Sequence, residues 1–191
     1  MFRAFFCLVI GLALVASPFG GGILNAKPIP GGANQKASVE GCMGQTLFDG
    51  VWRLTVKDIA STHRPFSGEP GTPGYAVTMQ FRNGSPRTIS LANSGISGNG
   101  TGVELVTVDG NTLDLDVGDF QRMAFRPIPQ GGSYTARLHY YYPSGTGDAG
   151  DLSKPDKFLL QVDPHAGGLR DVRVRYPISD PSFRVRANCA E

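Results

Sequence analysis

The sequence predicts an all-β chain, a two-sheet antiparallel sandwich of about seven to nine short strands. Three observations carry that expectation. First, Tyr75–Arg82 alternates strictly: Tyr75, Val77, Met79 and Phe81 are large and apolar, and Ala76, Thr78, Gln80 and Arg82 between them are small or polar. That is the pattern of a strand with one buried and one wet face. Second, several other stretches alternate in the same way, and none sustains a 3.6-residue period. Third, the 191 residues hold 26 Gly and 14 Pro. This density is too low for a collagen or a disordered tract and fits many turns between short strands.

The elements follow in order. Met1-Phe2-Arg3 and the apolar run Ala4–Ala16 read as a secretory leader, because the run is too short to span a bilayer. Residues 1–26 are the expected leader, with cleavage after Ala26, or else after Ala16 or Ser17; an uncleaved membrane anchor is the alternative. Residues 27–41 are Pro, Gly and small polar residues, a flexible linker. A single sandwich domain is expected over residues 42–191. Gly50–Ile59 is the first strand, with Trp52, Leu54 and Val56 inward and the only Trp of the chain in the core. Ser61–Gly74 holds three prolines and reads as a long loop. After Tyr75–Arg82, Asn83-Gly84-Ser85-Pro86 is a turn, and Arg87–Ala92 is a short strand with Ile89 and Leu91 inward. Asn93–Gly102 is a Gly/Ser/Asn-rich loop. Val103–Val108 and Thr112–Val117 flank Asp109-Gly110-Asn111, a hairpin signal. Phe120–Phe125 is a further strand, and Ser133–Tyr142 another, with Tyr134, Ala136, Leu138, Tyr140 and Tyr142 inward. Pro143–Pro155 is a second long loop. Phe158–Val162, Val172–Tyr176 and Phe183–Arg186 complete the set.

Two cysteines lie outside the leader, Cys42 and Cys189. In an exported chain they suggest one disulfide, with two unpaired thiols as the alternative. No Cys/His spacing for zinc occurs. The formal net charge is +2, so no global basic field recruits nucleic acid.

Candidate chemistry is sparse. His63, His139 and His165 have no ligand partner at a neighbouring position, with His63 and His165 expected in loops and His139 on an outer strand face. The acidic strings at Asp148–Asp156 and at Asp109–Asp116 lack calcium-loop spacing and match ordinary turn chemistry. There is no nucleophile elbow, and paired carboxylates for glycoside hydrolysis have few glutamates to draw on. No catalytic residue, metal or cofactor is therefore expected. Asn83-Gly84-Ser85 and Asn99-Gly100-Thr101 are formal glycosylation sequons. Thirteen of the eighteen basic residues are Arg. Arg173, Arg175, Arg184 and Arg186 alternate with apolar residues and would form one stripe if their two strands paired. The stripe reads either as an edge that resists aggregation or as an anion-binding face.

From about Gly44 to Pro164 four loose strand and turn motifs follow one another. Gly50-x-Trp52-x-Leu54-x-Val56 is followed by Tyr75-x-Val77-x-Met79-x-Phe81-x-Asn83, then Val117-Gly118-Asp119, then Phe125–Gly132 (FRPIPQGG). This resembles a family of small bacterial secreted or lipid-anchored immunoglobulin-like domains of unknown function, akin to the mycobacterial immunoprotective secreted antigens. The resemblance implies an extracellular immunoglobulin-like sandwich and no catalytic residues. Taken together, the expectation is a non-enzymatic, secreted, periplasmic or cell-surface binding or structural module. Its partner would be an extracellular protein or an anionic polymer, with no nucleic acid and no membrane after leader removal. A loop-presenting inhibitor of a secreted hydrolase, using Arg64–Gly74, Asn93–Gly102 and Gly145–Asp151, is the alternative; a glycan-active enzyme is the residual one.

Overall fold

A computed structural model describes residues 38–66, 69–143 and 153–189. In chain order the elements are β1 (Val39–Cys42), β2 (Thr46–Phe48), β3 (Trp52–Phe66), β4 (Glu69–Asn83), β5 (Val103–Thr107), β6 (Asp114–Leu115), α1 (Val117–Ala124), β7 (Ser133–Tyr141), β8 (Pro155–Leu160), α2 (Gly168–Val172) and β9 (Phe183–Arg186). The expected leader, residues 27–37 of the linker and the acidic string Gly147–Asp151 lie outside the described residues. The linker ends sooner than expected, because Val39–Gly41 already belong to β1.

The strands form two sheets, a five-stranded one in the order β2-β3-β4-β7-β6 and a four-stranded one in the order β1-β9-β8-β5. Neighbours are antiparallel except β1 and β9, which run parallel with Cys42 opposite Arg186. Between the sheets lies the core that alternation demands. Val77, Met79 and Phe81 of β4 are fully buried, as are Trp52, Leu54 and Val56 of β3, and Leu105, Phe158, Leu160, Phe183 and Val185 from the second sheet complete the interior. Trp52 meets Phe81 edge to face at 6.2 Å between ring centroids. Its indole Nε1 donates to Ser94 Oγ at 2.8 Å, so the one polar atom of the ring is satisfied.

The structure corrects several local expectations. Ser61–Phe66 and Glu69–Gly74 are not loop: β3 and β4 continue through them as paired strands. Their prolines fall where a strand tolerates them. Pro65 sits at a register irregularity between Arg64 and Phe66. Pro73 turns its carbonyl toward β7, where it accepts from Tyr142 N at 3.1 Å. Its missing N–H faces the same side, beyond Tyr141, where β7 has ended. His63 is therefore a strand residue, and the described residues of Arg64–Gly74 are paired strand, not the presenting loop expected of them. A second irregularity between Val56 and Asp58 shifts the parity of β3, so that Ile59 takes the core face opposite Val77.

The hairpin at Asp109-Gly110 is one bridge long, Val106 to Thr112. The chain then crosses to the other sheet, where β6 pairs with β7. Phe120–Phe125 is not a strand. Residues Val117–Ala124 form α1, which buries Phe120, Met123 and Ala124 on one face, with Asp116 Oδ1 capping it by accepting from Gly118 N. Arg87–Ala92 forms no extended strand, yet Ile89 and Leu91 are buried as expected, with Ile89 bridged to Ile128. Asn83 is buried and closes the turn, its Nδ2 donating to Arg87 O at 2.6 Å and Ile128 O at 2.8 Å.

Val172–Tyr176 is not a strand either. Between β8 and β9, which are antiparallel neighbours, the chain leaves the sheet from 161 to 182 and forms α2 on the way. Neighbours of this kind need only a two-residue turn, so a long excursion there is an added structure. It is pinned to the sandwich at four points. Asp163 N donates to Gly95 O at 2.8 Å, Tyr176 OH donates to Ser94 O at 2.6 Å, and Leu169 and Val174 are buried. Gly50, at φ +99°, lies so close to Pro177 that a Cβ there would stand 2.2 Å from the proline Cδ.

Candidate functional site

The excursion carries the cationic concavity of the described residues. Helix α2 is short and ends at Arg173, which takes a left-handed backbone with φ 53° and ψ 44° and donates its N–H back to Leu169 O and Arg170 O. Arg173 is the one non-glycine residue with positive φ among the described residues. A side chain in that conformation costs about 1–2 kcal/mol, and such costs concentrate at functional positions. The turn brings Arg170, Arg173 and Arg175 round a depression of about 650 Å³, with His165 on its rim and Ala166, Leu169 and Val174 in its floor. No carboxylate lines it. The guanidiniums of Arg170, Arg173 and Arg175 make no ion pair, side-chain hydrogen bond or ring contact among the described residues. Six other arginines are engaged: Arg53 over Phe48, Arg64 over Tyr141, Arg126 over Tyr134, Arg122 with Asp119, Arg184 with Glu40 and Arg82 with Gly131 O; Arg87, Arg137 and Arg186 have no such partner among the described residues, and none of the three lines the basin. A second depression of about 530 Å³ shares Pro164, His165 and Arg175 with the first and adds Tyr176, Pro177, Ile178 and Ser179.

The expected four-arginine stripe is not assembled. It required Val172–Tyr176 to pair with Phe183–Arg186, but β9 is flanked by β1 and β8. Arg173 and Arg175 go to the basin. Arg184 stays on the sheet with its Nη1 2.8 Å from Glu40 Oε1, and the groove beside it, about 230 Å³, also carries Glu104 and Asp180. Arg186 lies in β9 opposite Cys42. Arg170 was missed, and His165 was weighed only as a loop histidine without a ligand partner, because nothing in a linear pattern shows that both line one depression with Arg173. The one local signal was Gly167-Gly168 before Leu169, which marks a break in any strand.

Asp49 was missed too. Its carboxyl is 1% exposed, with Oδ1 accepting from Val51 N at 2.8 Å and Trp52 N at 2.6 Å, and Oδ2 is buried without a partner. Burial pushes this acid from the usual 3.8 up to about 7, against the opposing pull of the two backbone N–H groups. The same burial raises the Tyr176 hydroxyl, with the nearby Asp49 adding to it. Asp49 directly precedes Gly50, which packs against Pro177 of the second depression.

The remaining candidates have local roles. His139 Nδ1 lies 2.7 Å from Asp119 Oδ2, and its ring stacks on Tyr141 at 6.3 Å. No hydroxyl or thiol is hydrogen-bonded to this histidine among the described residues, so the pair lacks a nucleophile. Asp109 is held by Thr107 and Asn111 within its turn, which lowers its pKa. Among the described residues no three His, Cys, Asp or Glu are grouped to hold a metal ion. Asn99 is exposed, its Oδ1 accepting from Thr101 Oγ1 at 2.8 Å. Cys42 and Cys189 are joined, with Cα atoms 6.0 Å apart, as expected of an exported chain.

No family model matches the chain, and no curated protein matches it significantly. Solved structures do. The YjhA protein from Bacillus subtilis is 13% identical, covering 77% of this chain and 99% of its own, with a TM-score of 0.51. That likeness shows a shared fold. The secreted protein MPT63 from Mycobacterium tuberculosis is 16% identical over 80% of this chain and 99% of its own, with a TM-score of 0.45. A β-sandwich protein from Clostridium difficile is 9% identical over 83% and 99%, with a TM-score of 0.43. Among these similar structures is thus a secreted mycobacterial protein, the kind of protein that the strand motifs resemble.

Proposed function

We propose that this chain is a non-enzymatic, extracytoplasmic binding module that takes an anionic ligand in the basin of Arg170, Arg173 and Arg175. One observation carries the reading: three guanidiniums without a partner among the described residues, together with a histidine, line one concavity whose lining includes no carboxylate. Unpaired like charges repel, and an anionic partner offsets that repulsion. Guanidinium forks also match carboxylate, sulfate and phosphate groups geometrically. The disulfide supports an oxidising compartment. In this reading Arg184 contributes little, because Glu40 pairs with it, and Arg186 contributes little because it lies on β9 and does not line the basin.

The test is retention on an immobilised heparin column. The parent chain is retained and released by salt, as exposed charge pairing is screened. The Arg170→Gln/Arg173→Gln/Arg175→Gln variant elutes at clearly lower salt, while Arg184→Gln/Arg186→Gln elutes near the parent. Equal elution of the first variant and the parent overturns the assignment to the basin.

A further inference from the structure

Resting on that reading of the basin, we propose that the ligand is an extended acidic polysaccharide filling both depressions. Its acidic groups lie against Arg170, Arg173 and Arg175, and the face of an adjoining sugar ring lies against Pro177 and Ile178.

Size argues first. A lone inorganic anion engages one or two guanidiniums, but the first depression alone holds about 650 Å³, within the range of sites that enclose whole organic ligands. The second depression adjoins it, because Pro164, His165 and Arg175 line both. The chemistry changes along this path. The first lobe is cationic; in the second, Arg175 and His165 give way to Pro177, Ile178 and Ser179. Ile178 is one of the few large apolar residues left exposed, at 38%. An apolar surface edged by a hydroxyl suits the C–H face and hydroxyls of a pyranose. The wall behind it is fixed in advance, since Tyr176 OH is tied to Ser94 O and Pro177 is pressed against Gly50. A preset wall lowers the ordering cost of binding.

Other polyanions fit less well. Single-stranded nucleic acid is held on successive exposed aromatics, and this path offers one half-buried tyrosine. An acidic peptide gains affinity by adding to a free strand edge or by filling an apolar groove, and the lining here is α2 with the irregular stretches 164–166 and 173–179.

The experiment is calorimetric titration with heparin oligosaccharides from disaccharide to octasaccharide, with inorganic phosphate, and with a single-stranded DNA oligonucleotide of matched charge. Affinity is expected to rise with oligosaccharide length and then level off once both lobes are covered. Arg170→Gln/Arg173→Gln should weaken every oligosaccharide by about tenfold or more, the loss expected for charged hydrogen bonds. Ile178→Asp, and separately Ser179→Glu, should weaken the long oligosaccharides and leave the disaccharide unchanged. Both positions are exposed, so the fold is kept. Length-independent affinity, untouched by Ile178→Asp and Ser179→Glu, overturns the two-lobe ligand and leaves the basin reading standing. Equal or tighter binding of the oligonucleotide overturns the polysaccharide class. No binding of any of these anions overturns the basin reading, and this inference with it.

Discussion

Replacing Asp49 with Asn isolates the energetic effect of one buried acid. Asp49 Oδ1 receives two backbone N–H bonds, which Asn preserves through its own carbonyl oxygen. What Asn removes is the charge. In the folded chain the carboxyl titrates at about 7 instead of 3.8. Below pH 4 both folded and unfolded chains hold the proton and no penalty arises. Between about 4 and 7 the unfolded chain has released it and the folded chain has not, so stability falls as pH rises. Above 7 the folded chain must bury the ion, and the full loss, roughly 4 kcal/mol at about 1.4 kcal/mol per pH unit, is in place. The Asn variant lacks this slope. Denaturant unfolding, followed by the fluorescence of the single buried Trp52, should therefore give two curves of stability against pH that diverge from pH 4 to pH 8. Asp49→Asn gains on the parent by several kcal/mol across that range. Any constant offset from the buried amide cancels, because only the change with pH is read. Parallel curves would mean that Asp49 stays ionised throughout in the fold, and the account of its burial would be wrong.

Three further outcomes are expected. Trp52→Ala removes the largest fully buried side chain and leaves Ser94 without its indole donor, so denaturant melts should show a loss of about 3–5 kcal/mol; a loss below about 1 kcal/mol would mean that the ring is not central to the core. Gly74→Ala would place a Cβ 2.0 Å from Tyr140 O, a backbone atom that cannot swing away, so the variant should melt at lower urea despite the usual gain of about 0.4–1 kcal/mol from restricting a glycine; an unchanged or raised midpoint contradicts the pairing of β4 with β7. Alkylation without reductant, read by mass spectrometry, should label neither Cys42 nor Cys189, and reduction should then lower stability by at most about 4–5 kcal/mol for so long a loop. Full labelling before reduction would remove the bond.

The parts of this fold legible in the sequence were those where burial imposes a period of two. Trp52–Val56, Tyr75–Phe81 and Tyr134–Tyr142 declared both their strands and their inward faces. What escaped was set by contacts distant in sequence. Pro73 looks like a breaker until its missing N–H is seen to fall past the end of β7. Phe120, Met123 and Ala124 stand at i, i+3 and i+4, but α1 is only two turns long, too short for its period to rise above the strands around it. Val172 to Tyr176 alternates in burial as a strand does, with Val174 buried between exposed Arg173 and Arg175, but the left-handed turn at Arg173 keeps the stretch out of any ladder. The site suffered in the same way. Two of its three arginines were singled out, but they were grouped with Arg184 and Arg186 through a pairing that does not form.

The parallel pairing of β1 with β9 decides how this molecule bears tension. Cys42 closes the first strand, and Cys189 follows the last strand, which ends at Arg186. A pull applied between residues 38 and 189 runs along β1, through the sulfur–sulfur bond and out again, so everything between the two cysteines lies off the load path. With the bond reduced, the same pull acts on opposite ends of two parallel strands and shears them lengthwise. All four register pairs, from Val39 with Phe183 to Cys42 with Arg186, then take the strain together instead of opening one after another. The oxidised sandwich is thus mechanically bypassed, and its core and basin keep their shape while the chain ends are under load.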